Sequence, residues 1–207
     1  WWLKIIIELK ETNTRYPRFL KKLDDRPKTI YAIGNIGNLN NKCIAIIGSR
    51  ECTSYGKKMA QLISYFYAKR GYVIVSGLAK GIDSSAHLGA LLANGKTIAV
   101  LGTGLNKIYP YENTELARRI IRSNGTIISE YSLNDKIERD NFAYRNRIIS
   151  GLSNDVIVVE ANEKSGALIT AEHALLQGKN VYAVPGNINN QNSSGTNRLI
   201  KDGAKIL

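Results

Sequence analysis

An α/β protein is predicted, with a mostly parallel sheet covered by helices on both faces and a short N-terminal extension. Three observations carry that reading. From Cys43 onward, short β-branched runs alternate with helical patterns. Strands that alternate with helices of this length imply parallel pairing through crossover connections. Several runs are apolar throughout, as strands buried on both faces must be. Glycine, serine and asparagine also gather directly after the strands, where the backbone approaches a ligand in open α/β sheets of the Rossmann-like kind.

The elements follow in order. "CIAIIG", beginning at Cys43, is a buried strand ending in Gly48. Met59, Leu62, Ile63, Phe66 and Tyr67 recur at helical spacing, and Gly71 stops that helix after Lys69 and Arg70. "YVIVSG" is the next strand, "SSAHLGALLAN" a small-residue helix ended by Gly95, and "TIAVLG" the third strand. Leu116, Ala117, Ile120 and Ile121 mark a helix before the strand "GTIISE". Ile148, Ile149 and Leu152 lie on a helix leading to "DVIVVEA"; "LITAEHALLQG" is the next helix and "NVYAVPG" the next strand. Residues 1–42 are basic and Pro-punctuated, without a βαβ pattern, and read as an extension packed on the sheet edge with "TIYAIG" as an added strand. Residues 43–207 form the main domain, and right-handed crossovers align its strand ends along one edge.

Composition narrows the function. The 207 residues are 43% hydrophobic and 22% charged, values of an ordinary globular chain. No apolar run approaches the roughly 20 residues of a membrane span. "WWLKIIIELK" carries charges and lacks a cleavage site, so it does not read as a signal peptide. The first residue is Trp, which reads as a fragment or processed chain. Cys43 and Cys52 have neither metal nor redox spacing, and a reducing cytoplasm fits them. The net charge of +12 favours a polyanionic partner, nucleic acid or an anionic membrane face, and its spread along the chain argues for a folded basic surface.

The candidate site residues lie on the predicted edge. In "IAIIGSR", Gly48 and Ser49 place Arg50 beyond a strand end, where a guanidinium can fork onto a phosphate or pair with a neighbouring carboxylate. The loop "GSRECTSYG" lacks G-x-G-x-x-G and the second strand ends in Ser76 and Gly77, which excludes nicotinamide binding. "SGLAKGIDSSAH" brings Gly77, Lys80 and Gly81 to a helix start, either as an anion site or as close strand–helix packing with Asp83 capping. Lys107 lies in the loop after the third strand. In "NFAYRNRIISGLSN", Phe142 with Arg145, Asn146 and Arg147 fits the stacking of unpaired bases beside cations, or alternatively a helix staple and a solvated turn. Ser165, Gly166 and Thr170 of "SGALIT" are a second phosphate cradle, but no P-loop is present. His87 and His173 stand far apart without clustered carboxylates, so neither a metal site nor a catalytic centre is expected, and no cofactor.

"IAIIGSR", "SGLAKGIDSSAH", "TIAVLGTGLNKIYPYEN", "SEY", "FAYRNRIISGLS", "VIVVEANEKSGALITAEHAL", "VYAVPGN" and "SSGTNRLIKDGA" occur in the order found in the DNA-processing protein A (DprA/Smf) family, which this chain resembles from Ile30 to Leu207. The resemblance implies an extended Rossmann domain that dimerises, binds single-stranded DNA without chemistry on it, and helps load RecA during natural transformation. It also implies that Arg50 contacts DNA, with Arg139 and Phe142 as a basic group and a base-contacting aromatic. Ala143 stands where the family often has proline, and Asn106 where it more often has aspartate. Two other classes share the fold. Nucleotide phosphoribohydrolases of the LOG type carry P-G-G-x-G-T-x-x-E, which is neither contiguous nor complete here; Glu172 is the nearest acidic match. A nucleotide-sensing module fits the glycine-rich edge but leaves the charge unexplained.

Overall fold

The protein, in a computed structural model, is described over residues 6–136 and 138–207. Its sheet begins in the N-terminal extension, where β1 (Ile7–Lys10) and β2 (Thr29–Gly34) pair antiparallel. The main domain then runs β3 (Cys43–Ile47), α1 (Ser54–Lys69), β4 (Val73–Ser76), α2 (Ile82–Leu92), β5 (Thr97–Leu101), α3 (Thr114–Arg122) and β6 (Thr126–Ser129). It continues with α4 (Arg139–Leu152), β7 (Asp155–Val158), α5 (Gly166–Leu176), β8 (Asn180–Ala183), α6 (Gln191–Lys201) and β9 (Lys205–Ile206). The sheet order is β1-β2-β6-β5-β4-β3-β7-β8-β9, and β2 meets β6 antiparallel while all the remaining neighbours are parallel. The expected α/β architecture, with the added strand "TIYAIG", is the one observed.

Alternation along the strands explains the layers. Ile44, Ile46, Ile74 and Ile157 point to one face, where α1 and α2 cover them. Their neighbours Ala45, Val75, Val156 and Val158 point to the other face with Ile148, Ile149 and Leu152 of α4 and Ala171 and Ala174 of α5. Each fully buried isoleucine or valine contributes about 1.5–3 kcal/mol relative to an exposed one. The core does not stop at residue 42. Leu9, Ile30, Ala32 and Leu39 are buried in the same cluster as Cys43 and Ala45, so the extension completes the hydrophobic core.

Three elements are absent from the sequence reading: β1, α6 and β9. Helix α6 reads QNSSGTNRLIK, mostly weak helix formers, and gives little apolar periodicity. Docking holds it instead. A Cβ at Gly195 would lie 2.7 Å from the Ala161 carbonyl oxygen, and the Asn190 side chain caps the helix through the Asn192 N–H at 3.0 Å.

Strand order reverses between β3 and β7, since β4 continues the chain on one side of β3 and β8 on the other side of β7. Crevices at such reversals lie outside the carboxyl ends of the strands. Here those ends carry the loops beginning at Gly48 and Val159.

Candidate functional site

The first loop is anchored from both sides. Beyond β3, the Ser49 N–H donates to the Glu160 carbonyl oxygen at 2.7 Å, and the Ser49 carbonyl accepts from Ile82 N–H at 3.2 Å. The buried Glu160 carboxylate then accepts from Thr53 N–H at 2.8 Å and from the Thr53 hydroxyl at 2.5 Å. Thr53 in turn caps α1 by accepting from Gly56 N–H at 3.0 Å. Gly48 permits this approach, because a Cβ there would lie 2.6 Å from Ile82 Cγ1 and 2.7 Å from the Glu160 oxygen. Between these anchors Arg50 projects, exposed, with its guanidinium carbon 5.9 Å from the centroid of the Phe142 ring.

The second loop uses its amides internally. Gly77 N–H and Ala79 N–H both donate to Asp83 Oδ2, at 3.1 and 3.3 Å, while Ile82 N–H is taken by Ser49. Of the two sequence readings of "SGLAKGID", close strand–helix packing is therefore the one the geometry favours, but Asp83 does not cap the helix: α2 starts on Gly81 with no side-chain cap, and Asp83 ties down the loop before it. Gly81 has φ of 79°, and a Cβ would meet the Ser49 oxygen at 2.4 Å. Burial raises the Asp83 carboxyl above its ordinary range, and the Arg145 charge works against that rise. Ser76 is buried and donates to the Ile46 carbonyl oxygen at 2.7 Å, so it ties β4 to β3. Lys80 stands exposed, paired with Glu112 at 2.5 Å.

Helix α4 separates Arg145 and Arg147, which the sequence pattern places together. Residues two apart on a helix point about 200° from each other and cannot share a face. Arg145 turns toward the strand ends, where Nη1 donates to the carbonyl oxygens of Gly77, at 3.0 Å, and of Val100. Arg147 turns toward the N-terminal extension. It is 1% exposed, its Nη2 and Nη1 donate to Glu130 at 2.7 and 2.9 Å, and its Nε donates to the Asp25 carbonyl oxygen at 3.0 Å. The expectation that Arg147 faces the ligand is corrected by this burial, as is the alternative of a solvated turn. Asn146 is buried between helices, donating to the Gly166 carbonyl oxygen at 3.2 Å and accepting from Arg145 Nε at 3.2 Å.

What converges is a small pocket of about 60 Å³, walled by Arg50, Lys80, Tyr109 and Phe142 over a floor of Gly77 and Arg145. The Tyr109 and Phe142 rings pack with centroids 5.2 Å apart, and Phe142 fits closely against Gly102, whose Cβ would come within 2.9 Å of the ring. Burial lowers the Arg145 guanidinium to about 10, with the nearby Arg50 adding to the fall and Asp83 opposing it. Nothing local distinguishes Tyr109 from Tyr111 within "KIYPYEN", so its place in the pocket comes from the fold alone.

The other predicted residues lie apart from this pocket. Lys107 and Arg139 are exposed but do not line it. Ser165 caps α5 by accepting from Ala167 N–H at 3.3 Å, Gly166 has open space about its Cα, and Thr170 is buried. None of these three lines the pocket. His87 is fully buried and bonded through Nδ1 to the Thr97 hydroxyl at 2.6 Å, and His173 lies half-buried on α5. Among the described residues no group of three or more His, Cys, Asp or Glu could hold a metal ion, and no helix is long and apolar enough to cross a membrane. Cys43 is buried, which pushes its thiol up to about 12.

The family model for DNA recombination-mediator protein A matches residues 8–207. The chain belongs to that family. It is the family that the eight ordered motifs resemble. Among curated members, Smf of Escherichia coli is 45% identical over 192 residues, covering 93% of this chain and 51% of that protein. DprA of Bacillus subtilis is 42% identical over 197 residues, covering 95% and 66%. The chain thus spans about half to two thirds of these relatives' length. Among solved structures, DprA of Streptococcus pneumoniae superposes with a TM-score of 0.92 at 39% identity, covering 100% of this chain and 72% of that one. DNA processing protein A of Helicobacter pylori, described for its single-stranded DNA binding mode, gives 0.88 at 34% identity, covering 97% and 90%. A molybdenum cofactor binding protein of Rippkaea orientalis shares the fold, with a TM-score of 0.56 at 20% identity over 80% of this chain and 88% of that one.

Proposed function

We propose that this chain binds single-stranded DNA at the carboxyl edge of its sheet, without chemistry on it, and passes it to a RecA-type recombinase. One observation carries the reading: Arg50, Lys80 and Arg145 converge with the Tyr109–Phe142 aromatic pair on one pocket. Cations grip backbone phosphates, while an aromatic ring accepts any base that is not already stacked in a duplex. A net charge of +12 supplies the long-range attraction. The Helicobacter pylori relative, 34% identical, supports the choice of ligand. In this reading Arg50 and Phe142 are the central contacts, with Lys80, Lys107 and Arg139 as outer phosphate partners. Arg147 supports the fold instead.

Binding to single-stranded and duplex oligonucleotides across a salt series tests this. With about 4 phosphates neutralised, the log–log slope is roughly −3 on a single strand. Equal affinity for duplex, or a slope near zero, overturns the reading. Membership of the family supports the RecA partner and a homodimer, the latter through Val181–Leu207, where β9 is a sheet edge with exposed Ile206 and Leu207. Light scattering tests the dimer. Absence of turnover is part of the proposal, and base release from nucleoside monophosphates, lost in Glu172→Gln, would instead favour the nucleotide hydrolase.

A further inference from the structure

The floor of the pocket has a property that general strand binding does not require. Arg145 is 4% exposed, and its hydrogen bonds to protein are made by Nε and Nη1 alone, so Nη2 is left without a protein acceptor among the described residues. That nitrogen lies beside Gly77, where a Cβ would come within 2.8 Å of it. Glycine at this position keeps the guanidinium edge open to the pocket. Asp83, whose Oδ2 lies beside the same Gly77, balances part of the charge without bonding Nη2, and a nearly buried guanidinium with a donor still unused and facing a pocket is suited to an anion.

Size narrows the anion. A cavity needs about 10–15 Å³ of such volume to hold one water. The roughly 60 Å³ here suits a group of phosphate size at the floor better than a nucleobase, which fits the open mouth. A mid-strand phosphodiester carries a sugar on two of its oxygens and cannot sink to the floor. A terminal phosphate has three free oxygens, enough to meet Arg145 below and Arg50 and Lys80 at the walls. Its charge, about −1.5 to −2 near neutral pH, also exceeds that of a diester. Tyr109 and Phe142 at the mouth then receive the first base.

We propose that this pocket seats the terminal phosphomonoester of a single strand, so that the chain recognises strand ends in addition to strand interiors. The inference rests on the proposed DNA binding and deepens it at the same site. Internal strand segments would still bind across the outer cations, with lower affinity.

The test uses the full chain and short oligothymidylates of one length bearing a 5′-phosphate, a 3′-phosphate, or hydroxyls at both ends. One phosphorylated end is expected to bind about tenfold tighter than the hydroxyl strand, and the two phosphorylated probes identify which end. Gly77→Ala should reduce the ratio to within about twofold, since its Cβ closes off Nη2. Comparing each variant with itself removes any general loss of affinity. Should melting curves show Gly77→Ala unfolded, Arg50→Gln, at an exposed position, takes its place and should also reduce the ratio. Equal binding of all three strands overturns the end site while leaving strand binding intact. No binding to any strand overturns both readings, and a preference that survives both substitutions overturns the placement in this pocket.

Discussion

The guanidinium of Arg50 lies 5.9 Å from the ring centroid of Phe142, joining the end of the first core strand to the first turns of α4. Neither side chain makes that contact by local folding. The Glu160-anchored loop delivers the arginine, and the close approach at Gly102 delivers the ring.

Their alanine variants should fail differently. Arg50→Ala removes a phosphate contact and flattens the log–log salt slope by roughly 0.7, with similar losses for every sequence. Phe142→Ala leaves the slope unchanged and weakens binding by about 1–3 kcal/mol at every salt concentration, the worth of a stacked base. Titrations across a salt series with a melting curve for each variant separate the two. A common response would show that the residues do not act in the assigned roles.

Arg147 should behave as a structural residue. Its substitution by alanine strands Glu130 without its bidentate partner and releases the Asp25 carbonyl. Glu130 keeps some access to water, so the loss is about 1–3 kcal/mol, that of charged hydrogen bonds left unmade. Urea unfolding should record that loss, and limited proteolysis should cut first near Asp25, the residue of the extension that Arg147 holds. Any fall in DNA affinity should disappear under conditions where the variant is fully folded.

His87 should make stability fall in acid. Burial, with help from the Arg145 charge, lowers its pKa from 6.5 to about 3. The Thr97 hydroxyl donates to the Ile74 carbonyl oxygen at 2.7 Å, so it accepts from His87 Nδ1–H, and Nε2 is left without a partner. Below pH 6.5 the unfolded chain takes up a proton that the folded chain refuses, so stability drops toward pH 3 by up to about 1.4 kcal/mol per pH unit. The raised Asp83 carboxyl acts in the opposite direction, and equally in a His87 variant. His87→Gln should therefore flatten the decline measured by denaturant unfolding at several pH values. An unchanged slope would remove His87 from the acid response.

Glu160→Ala should loosen the loop that carries Arg50. It leaves the Thr53 N–H and hydroxyl without their acceptors, at a cost of about 2–3 kcal/mol, whereas Glu160→Gln keeps one acceptor and should cost less than half as much. DNA affinity should follow the same order although no positive charge is removed. Affinity measured at a fixed salt concentration, alongside urea melts, checks both parts.

The sheet and its loop-bearing edge are legible in the residue pattern. Apolar runs such as Cys43–Ile47 can be satisfied only between two helical layers, and the polar, glycine-punctuated stretches after them have to be the connections at one edge. The motif order was enough to point to the family. Tertiary structure alone decided the composition of the pocket. Arg145 and Arg147, two residues apart, had to diverge, but which one met the strand ends depended on how α4 rotates against β4 and β5. That Asp83 would consume the loop amides, that Tyr109 would meet Phe142, and that Gly77 would leave one guanidinium edge open all depend on contacts between segments far apart in the chain. The same holds for β1 and α6, whose local patterns are weak and whose stability comes from the partner they dock on. Periodicity encodes which face of an element is buried; what that face meets is set by packing across the whole fold.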